Sequence, residues 1–426
     1  MIYGLSTLVI LFINYYHVKE EKIGIYFTFS NLYYFIYVVV PFMLQYGYIK
    51  KPDIGGAIKI ISKYNSNSHL VGYANILVLT GLLIIALFSL YSPRREKMVG
   101  VQKEDVYRAG VTGVILGTIA FGIVVFSAGG LVDLLAIAND LRGGDKSLPG
   151  GFFIHIGKLV WAGSIILFGA MMDGYRRKYA LLVLSILVSL LVLLGIAGRA
   201  VIVIYLAGFP FIFYIKNQKI YVKRTIVLFV VSIAIIVYGD YLFRSFSEQG
   251  ALAARTEIVV QGGAHWIVQN ILREFTFPYT NVLVSISEIK SLWDVYLLEL
   301  PKGIINTLPG GAVGFSYLNT LSDVNTLRYG TPGEIPVDMI SLGYHTMGAI
   351  GVILTVSICC ITFSNLDEHM YGYDSYVFIS LHALLSCKLC FVAMYADMHQ
   401  VISGNFYIIF TVALIFFFKE LRKRAS

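Results

Sequence analysis

LLGIAGRAVIVIYLAG, residues 193–208, holds one arginine, Arg199, inside an otherwise apolar run of about thirty residues. A guanidinium in hydrocarbon costs roughly 2.5–3.5 kcal/mol on insertion scales, so this one must sit at an interface, be paired, or line a wet cavity. The run around it sets the class of protein. Of 426 residues, 57% are hydrophobic and only 14% charged, with a mean hydropathy of +0.75, whereas a soluble domain carries roughly 25% charged residues. The composition predicts an all-α polytopic membrane protein in which residues 1–426 form a single integral membrane domain.

A helix needs about 20 apolar residues to cross hydrocarbon. Eleven segments qualify: 2–18, 23–49, 69–92, 109–127, 152–173, 180–197, 200–215, 225–243, 347–364, 376–395 and 402–418. The net charge of +8 is no sign of nucleic acid, because the basic residues cluster between these runs and set orientation. With KELRKRAS at the C-terminus in the cytoplasm, KEEK (19–22), PRREKMVGVQKEDVYR (93–108), GYRRKY (174–179) and KNQKIYVKR (216–224) fall on the same side. That side then holds 18 basic residues against 13 on the other, six of the 13 in one long loop. The N-terminus is predicted outside and the C-terminus cytoplasmic, although four lysines in KKPDIGGAIKIISK (50–63) pull the other way. No cleavable signal peptide is expected, since the first charges follow the first apolar run instead of preceding it.

Four cysteines, Cys359, Cys360, Cys387 and Cys390, lie in apolar segments and read as packing thiols; no second ligand pair stands near the CxxC to suggest a metal. Gly113 and Gly117 in GVTGVILG have the four-residue spacing of close helix packing. Lys158, Lys388, Asp240, His155 and His382 are polar residues within spans, with structural pairing the default reading and an ion path the alternative.

The chain from 244 to 346 is predicted to form a large extracytoplasmic loop containing short helices, being too long for a structureless connector. Within it NVLVSISEIKSLWDVYLLEL (281–300) reads as a helix on the membrane surface. Arg199 shares the outer side with Arg244, Arg255, Arg273 and Arg328, and arginine's planar fork suits bidentate binding of phosphate oxygens. Glycines at 195 and 198 would let a bulky anion approach the backbone. Snorkelling to lipid headgroups is the plainer reading of Arg199. Glu334, Asp338 and His345 supply a candidate general base for a hydroxyl, with Asp338 and His345 on one face if the chain is helical from Pro336; a helix cap and a solvated turn are the bland alternatives. His265, beside Trp266, reads as an interfacial residue.

The order of these features resembles the Wzy-type oligosaccharide repeat-unit polymerases (O-antigen polymerases), relatives of the O-antigen ligases. The features are many spans, LLGIAGRAVIVI mid-chain, an arginine-rich outer loop, and GTPGEIPVDMISLGYHTMGAIGVIL running into a late span. The resemblance implies a GT-C-like, metal-independent glycosyltransferase of the bacterial inner membrane with no cofactor. Its donor and acceptor would be glycans linked to undecaprenyl pyrophosphate, with membrane lipids around it and a chain-length regulator protein as a further candidate partner. Block transfer on the outer leaflet would build O-antigen or capsule for the cell surface. Arg199, Arg244, Arg255, Arg273 and Arg328 would then hold the pyrophosphate, and Asp338, Glu334 or His345 would orient or deprotonate the acceptor. The ligase relatives favour a histidine early in the late motif, whereas His345 here follows Asp338. An O-antigen ligase is the nearest alternative activity; a lipid-linked oligosaccharide flippase or exporter is the alternative of another class.

Overall fold

The computed structural model describes residues 2–46, 67–91, 100–143, 152–175, 179–195, 199–244, 275–288, 305, 321–322, 325 and 336–425. Among them there is no strand. The helices are α1 (Ile2–Lys19), α2 (Ile25–Tyr34), α3 (Val40–Gln45), α4 (Ser68–Ser89), α5 (Lys103–Ser127) and α6 (Leu131–Gly143). There follow α7 (Phe152–Gly157), α8 (Leu159–Met172), α9 (Tyr179–Gly195), α10 (Arg199–Asn217), α11 (Val222–Arg244) and α12 (Phe277–Glu288). The last are α13 (Met339–Tyr371), α14 (Tyr376–Leu389) and α15 (Met398–Ala425). Among the described residues each of the eleven expected apolar segments overlaps helix, and seven stretches are long and apolar enough to cross a membrane. The protein is an all-helical polytopic membrane protein.

The chain forms two compact units. The first comprises Met1–Pro93, His265–Asp367 and Leu389–Ser403; the second comprises Arg94–Ala264, Glu368–Lys388 and Gly404–Ser426. In the first unit α2 opens after Gly24, which has no side chain to cap it. Asp367 supplies the cap from afar, accepting from the amides of Ile25 (2.7 Å) and Tyr26 (2.8 Å) with one carboxylate oxygen each. Two orphan donors of the helix start are thereby satisfied. Further along, Pro41 lacks an N–H and its ring crowds the carbonyl four residues back, that of Tyr37. The helix relieves the clash with a π turn over Phe35–Val39 before α3 continues. Tyr26 and Tyr33 reach from α2 to backbone carbonyls of α4, at Ile85 (2.5 Å) and Val78 (3.0 Å). Gly81 leaves the room that the Tyr33 hydroxyl occupies.

α13 is not one straight rod. Met347 (φ −143°, ψ 27°) and Gly348 (φ +60°, ψ −140°) break it, so a short helix over 339–346 precedes a span from 349. The positive φ at Gly348 is a conformation only glycine adopts without strain. The short helix packs back on the span: a methyl group on Gly343 would stand 2.7 Å from the Gly351 carbonyl oxygen and 2.9 Å from the Val352 Cα, and one on Gly351 would collide with the Gly343 carbonyl.

In the second unit α5 and α8 meet through glycine. A methyl on Gly117 would lie 2.6 Å from Val160 Cγ2 and 2.8 Å from its amide nitrogen, and one on Gly163 would lie 2.6 Å from the Gly110 carbonyl. The spacing of Gly113 and Gly117 thus marks a close helix contact, as the sequence suggests. Asp173, at the C-terminus of α8, caps α14 by accepting from the amides of Tyr376 (3.0 Å) and Val377 (3.1 Å) and from the Ser375 hydroxyl. At the same end Arg422 grips Asp105 with two nitrogens (3.0 and 2.9 Å) and the Gly100 carbonyl (2.6 Å). The Tyr175 hydroxyl donates to Glu104 (3.1 Å), and the Lys216 ammonium donates to the Asp374 carbonyl (2.9 Å). Described residues of four segments assigned by count to a common side, among them Glu104, Asp105, Tyr175, Lys216 and Arg422, therefore lie at one end of this unit. The expected surface helix needs correction: α12 begins at Phe277, and Thr276 and Tyr279–Ser285 are buried in the first unit instead of lying on a lipid surface. The remainder of that segment, 289–300, lies outside the described residues.

Backbone atoms cannot step aside for a methyl group as side chains can. Gly343→Ala and Gly351→Ala should each cost about 1–3 kcal/mol, read as a lower melting temperature in detergent micelles. Gly72→Ala, with nothing within 4 Å, should leave the melt unchanged or slightly raised.

Candidate functional site

The clearest polar cluster of the first unit surrounds the chain just before α13, and three elements hold that chain in place. Asn281 of α12 donates its side-chain amide to the Pro336 carbonyl (2.9 Å). The Ala396 amide donates to the Val337 carbonyl (2.7 Å). Tyr37, from the π turn, donates to Asp338 Oδ1 at 2.6 Å. Two backbone carbonyls of a buried turn are thus given partners.

Asp338 is wholly buried. Its Oδ1 accepts from Tyr37 and from the amides of Ile340 and Ser341, both at 3.0 Å, while Oδ2 meets the Ser341 hydroxyl. The carboxylate therefore caps the short helix and ties it to α2. The Tyr37 hydroxyl also lies 2.8 Å from the Ala393 carbonyl, at the end of a single 3-10 turn over Cys390–Ala393. One hydroxyl hydrogen faces two acceptors: it is shared between them, or a protonated Asp338 supplies a second.

A second chain of polar groups flanks this one. Tyr3 donates to Gln45 Oε1 (2.6 Å), Gln45 donates to the Tyr279 oxygen (3.0 Å), and Tyr279 donates to Asn75 Oδ1 (3.0 Å). Burial, with the Tyr3 hydroxyl adding to it, pushes the Tyr279 hydroxyl well above its ordinary range, so it remains a donor. The chain fixes α12 on α4 and so fixes Asn281.

The sequence-predicted site residues fall as follows. Asp338 and His345 are both buried in the first unit, at the two ends of the short helix. Their spacing of seven residues puts them on one face about 10 Å apart along the axis. Arg199 is the first residue of α10 and Arg244 the last of α11, both in the second unit. Arg255, Arg273, Arg328 and Glu334 lie outside the described residues, as do His265 and Gly198. Gly195 is a packing position: a methyl there would be 3.1 Å from Leu134 Cδ2 and 3.6 Å from Phe121 Cε2. Cys387 and Cys390 are buried and unoxidised, and among the described residues no three His, Cys, Asp or Glu side chains gather as a metal cage requires. Tyr37 was missed in the sequence. Its signal was Pro41, four residues on in an apolar run, which forces an irregular turn where a tyrosine stands in line; such π turns recur at functional sites.

No family model, curated protein or solved structure matches the chain. The site's own groups are a buried carboxylate, a phenol and a serine in one hydrogen-bonded set, and an imidazole two turns away.

Tyr37→Phe removes one donor from Asp338 and from the Ala393 carbonyl, and should cost about 1–3 kcal/mol. The expected readouts are a lower melting temperature and faster hydrogen exchange at the amides of Ile340 and Ser341.

Proposed function

We propose that the chain is a GT-C-like membrane glycosyltransferase of about eleven spans that polymerises undecaprenyl-pyrophosphate-linked oligosaccharide repeat units on the outer leaflet of a bacterial inner membrane. The observation that carries the reading is the broken helix of α13. Non-helical backbone at membrane depth is tolerated where it is buried in protein or lines a polar cavity, and here the break follows a short helix bearing Asp338 and His345. Such a helix brings an acid–base pair to the edge of a span, where a lipid-linked substrate travels.

In this reading Asp338, saturated by hydrogen bonds, positions the short helix, and His345 orients the acceptor hydroxyl or takes its proton. Arg199 binds the pyrophosphate, with Arg244, Arg255, Arg273 and Arg328 available from the 244–346 segment. The bond broken joins the donor glycan's first sugar to the lipid pyrophosphate, and the bond formed joins that sugar to the acceptor's terminal hydroxyl. The acceptor proton passes to the base, and the departing diphosphate gathers negative charge that preorganised guanidinium groups stabilise. The resemblance in the order of sequence features supports the same substrate class.

A deletion strain complemented with the gene tests this directly. The native gene should restore a ladder of surface glycan, and Arg199→Ala should leave the protein in the membrane with single repeat units accumulating on lipid. A normal ladder from Arg199→Ala would remove that assignment. Arg199→Lys keeps the charge and loses the fork, so it should support shortened chains at most. Long lipid-linked polymer retained in the inner membrane of the deletion strain would instead mark a ligase.

A further inference from the structure

KNQKIYVKR, residues 216–224, joins α10 to α11 in the second unit and contains no acidic residue. α10 is 19 residues long, about 28 Å at 1.5 Å per residue, against a hydrocarbon core of about 30 Å. The connection is therefore the tip of a helical hairpin about as long as the hydrocarbon is thick. Side chains close the turn. Gln218 takes a left-handed backbone (φ 47°) and donates its side-chain amide to the Ile215 carbonyl (2.7 Å), one of those that a helix end leaves without a backbone partner. Across the turn the rings of Tyr214 and Tyr221 stack, with centroids 5.9 Å apart and planes 22° apart, and the Tyr214 and Thr225 hydroxyls lie 3.0 Å apart.

The tip presents positive charge without a counter-charge. Other cations of this unit meet carboxylates: Arg422 meets Asp105, Arg108 meets Glu104, and Lys216 meets Asp374. Lys219, Lys223 and Arg224 are exposed, and among the described residues no carboxylate pairs with any of them. Arg224 lies instead over the rings of Phe213 (5.0 Å) and Tyr221 (4.8 Å), which hold the guanidinium in place and carry no formal charge. The first turn of α11 contains no acid either. Apolar side chains fix the depth of these charges. Ile220 (45% exposed) and Val222 (65%) stand among them, and Ile226, Val227, Phe229 and Val230 are exposed along α11 just beyond Arg224. In a membrane-spanning protein such a strip faces acyl chains, and charges at its border lie among headgroups. Apolar residues interleaved with lysines keep a segment in the headgroup layer instead of letting it project into water.

We infer that the tip between α10 and α11 is a docking surface for anionic phospholipids, which it grips by their phosphodiesters with Lys219, Lys223 and Arg224. A phosphodiester supplies the formal negative charge that the protein withholds. Ammonium groups with three rotatable donors and a guanidinium with five suit its oxygens in many headgroup orientations, and the acyl chains of the same lipid meet Ile220 and Val222. A soluble anion would meet the first requirement and not the last. The surface uses neither Arg199 nor Asp338, so it stands or falls separately from the proposed transfer reaction.

The test uses the full-length protein in nanodiscs of phosphatidylcholine and phosphatidylglycerol in equal parts, with native mass spectrometry counting the lipids that stay bound on release. Wild-type protein should retain phosphatidylglycerol over phosphatidylcholine, and the preference should fall as salt is raised. K219Q, K223Q and R224Q should each weaken it about fivefold, and the K219Q/K223Q/R224Q variant should lose most of it. K219R/K223R keeps the charge and should keep the preference. K423Q removes a lysine that Glu420 already engages and should leave it unchanged. Glycerol phosphate, which has no acyl chains, is the soluble probe: if it raises the melting temperature of wild type and not of the triple variant, while neither prefers phosphatidylglycerol, the surface takes soluble anions and the inference is overturned. An equal lipid preference in wild type and triple variant would show charges that only orient the chain, and would overturn it as well. Should the triple variant fail to fold, K219Q and K223Q decide alone, because both side chains are exposed and have no ion-pair partner among the described residues.

Discussion

Inside a bilayer there is no water to complete a broken hydrogen-bond ladder, so every interruption of a helix must find its partners in the protein. Among the described residues of the first unit such interruptions include the π turn over Phe35–Val39 and the break at Met347 and Gly348. One hydrogen bond serves both. Tyr37 projects from the π turn to Asp338, whose remaining acceptors take the first amides of the short helix that leads into the break. Without that bond Asp338 would still cap the short helix, but the capped helix would lose its tie to the π turn. The glycines at 343 and 351 then let it lie back against its own span.

Much of this architecture was legible in the sequence. Apolar runs long enough to span marked the helices, and basic clusters grouped the ends; in the second unit those groupings appear as the contacts of Asp105 with Arg422 and of Glu104 with Tyr175. Gly113 and Gly117 announced a close helix contact through spacing alone. The break in α13 was not legible, because 347–364 is uniformly apolar and only the φ at Gly348 distinguishes it. Likewise Asp338 was readable as a cap or a base, but its partner Tyr37 lies 301 residues away, and no local pattern encodes such a pairing. The 281–300 segment misled for a related reason: helical periodicity with a Trp and a Tyr describes a helix against lipid and a helix against protein equally well.

Around Asp338 the groups are matched donor to acceptor, and the arrangement holds backbone in place.

The central claim is that Tyr37 and Asp338 act as one unit in holding the short helix. A double-mutant cycle of Tyr37→Phe and Asp338→Ala, followed by melting temperature in micelles, tests it most directly. The account predicts that the double variant melts close to the less stable of the two single variants, because either change already dissolves the shared bond. Additive losses, with the double variant lower by the sum of the two single shifts, would show that the groups do not depend on each other and would contradict it.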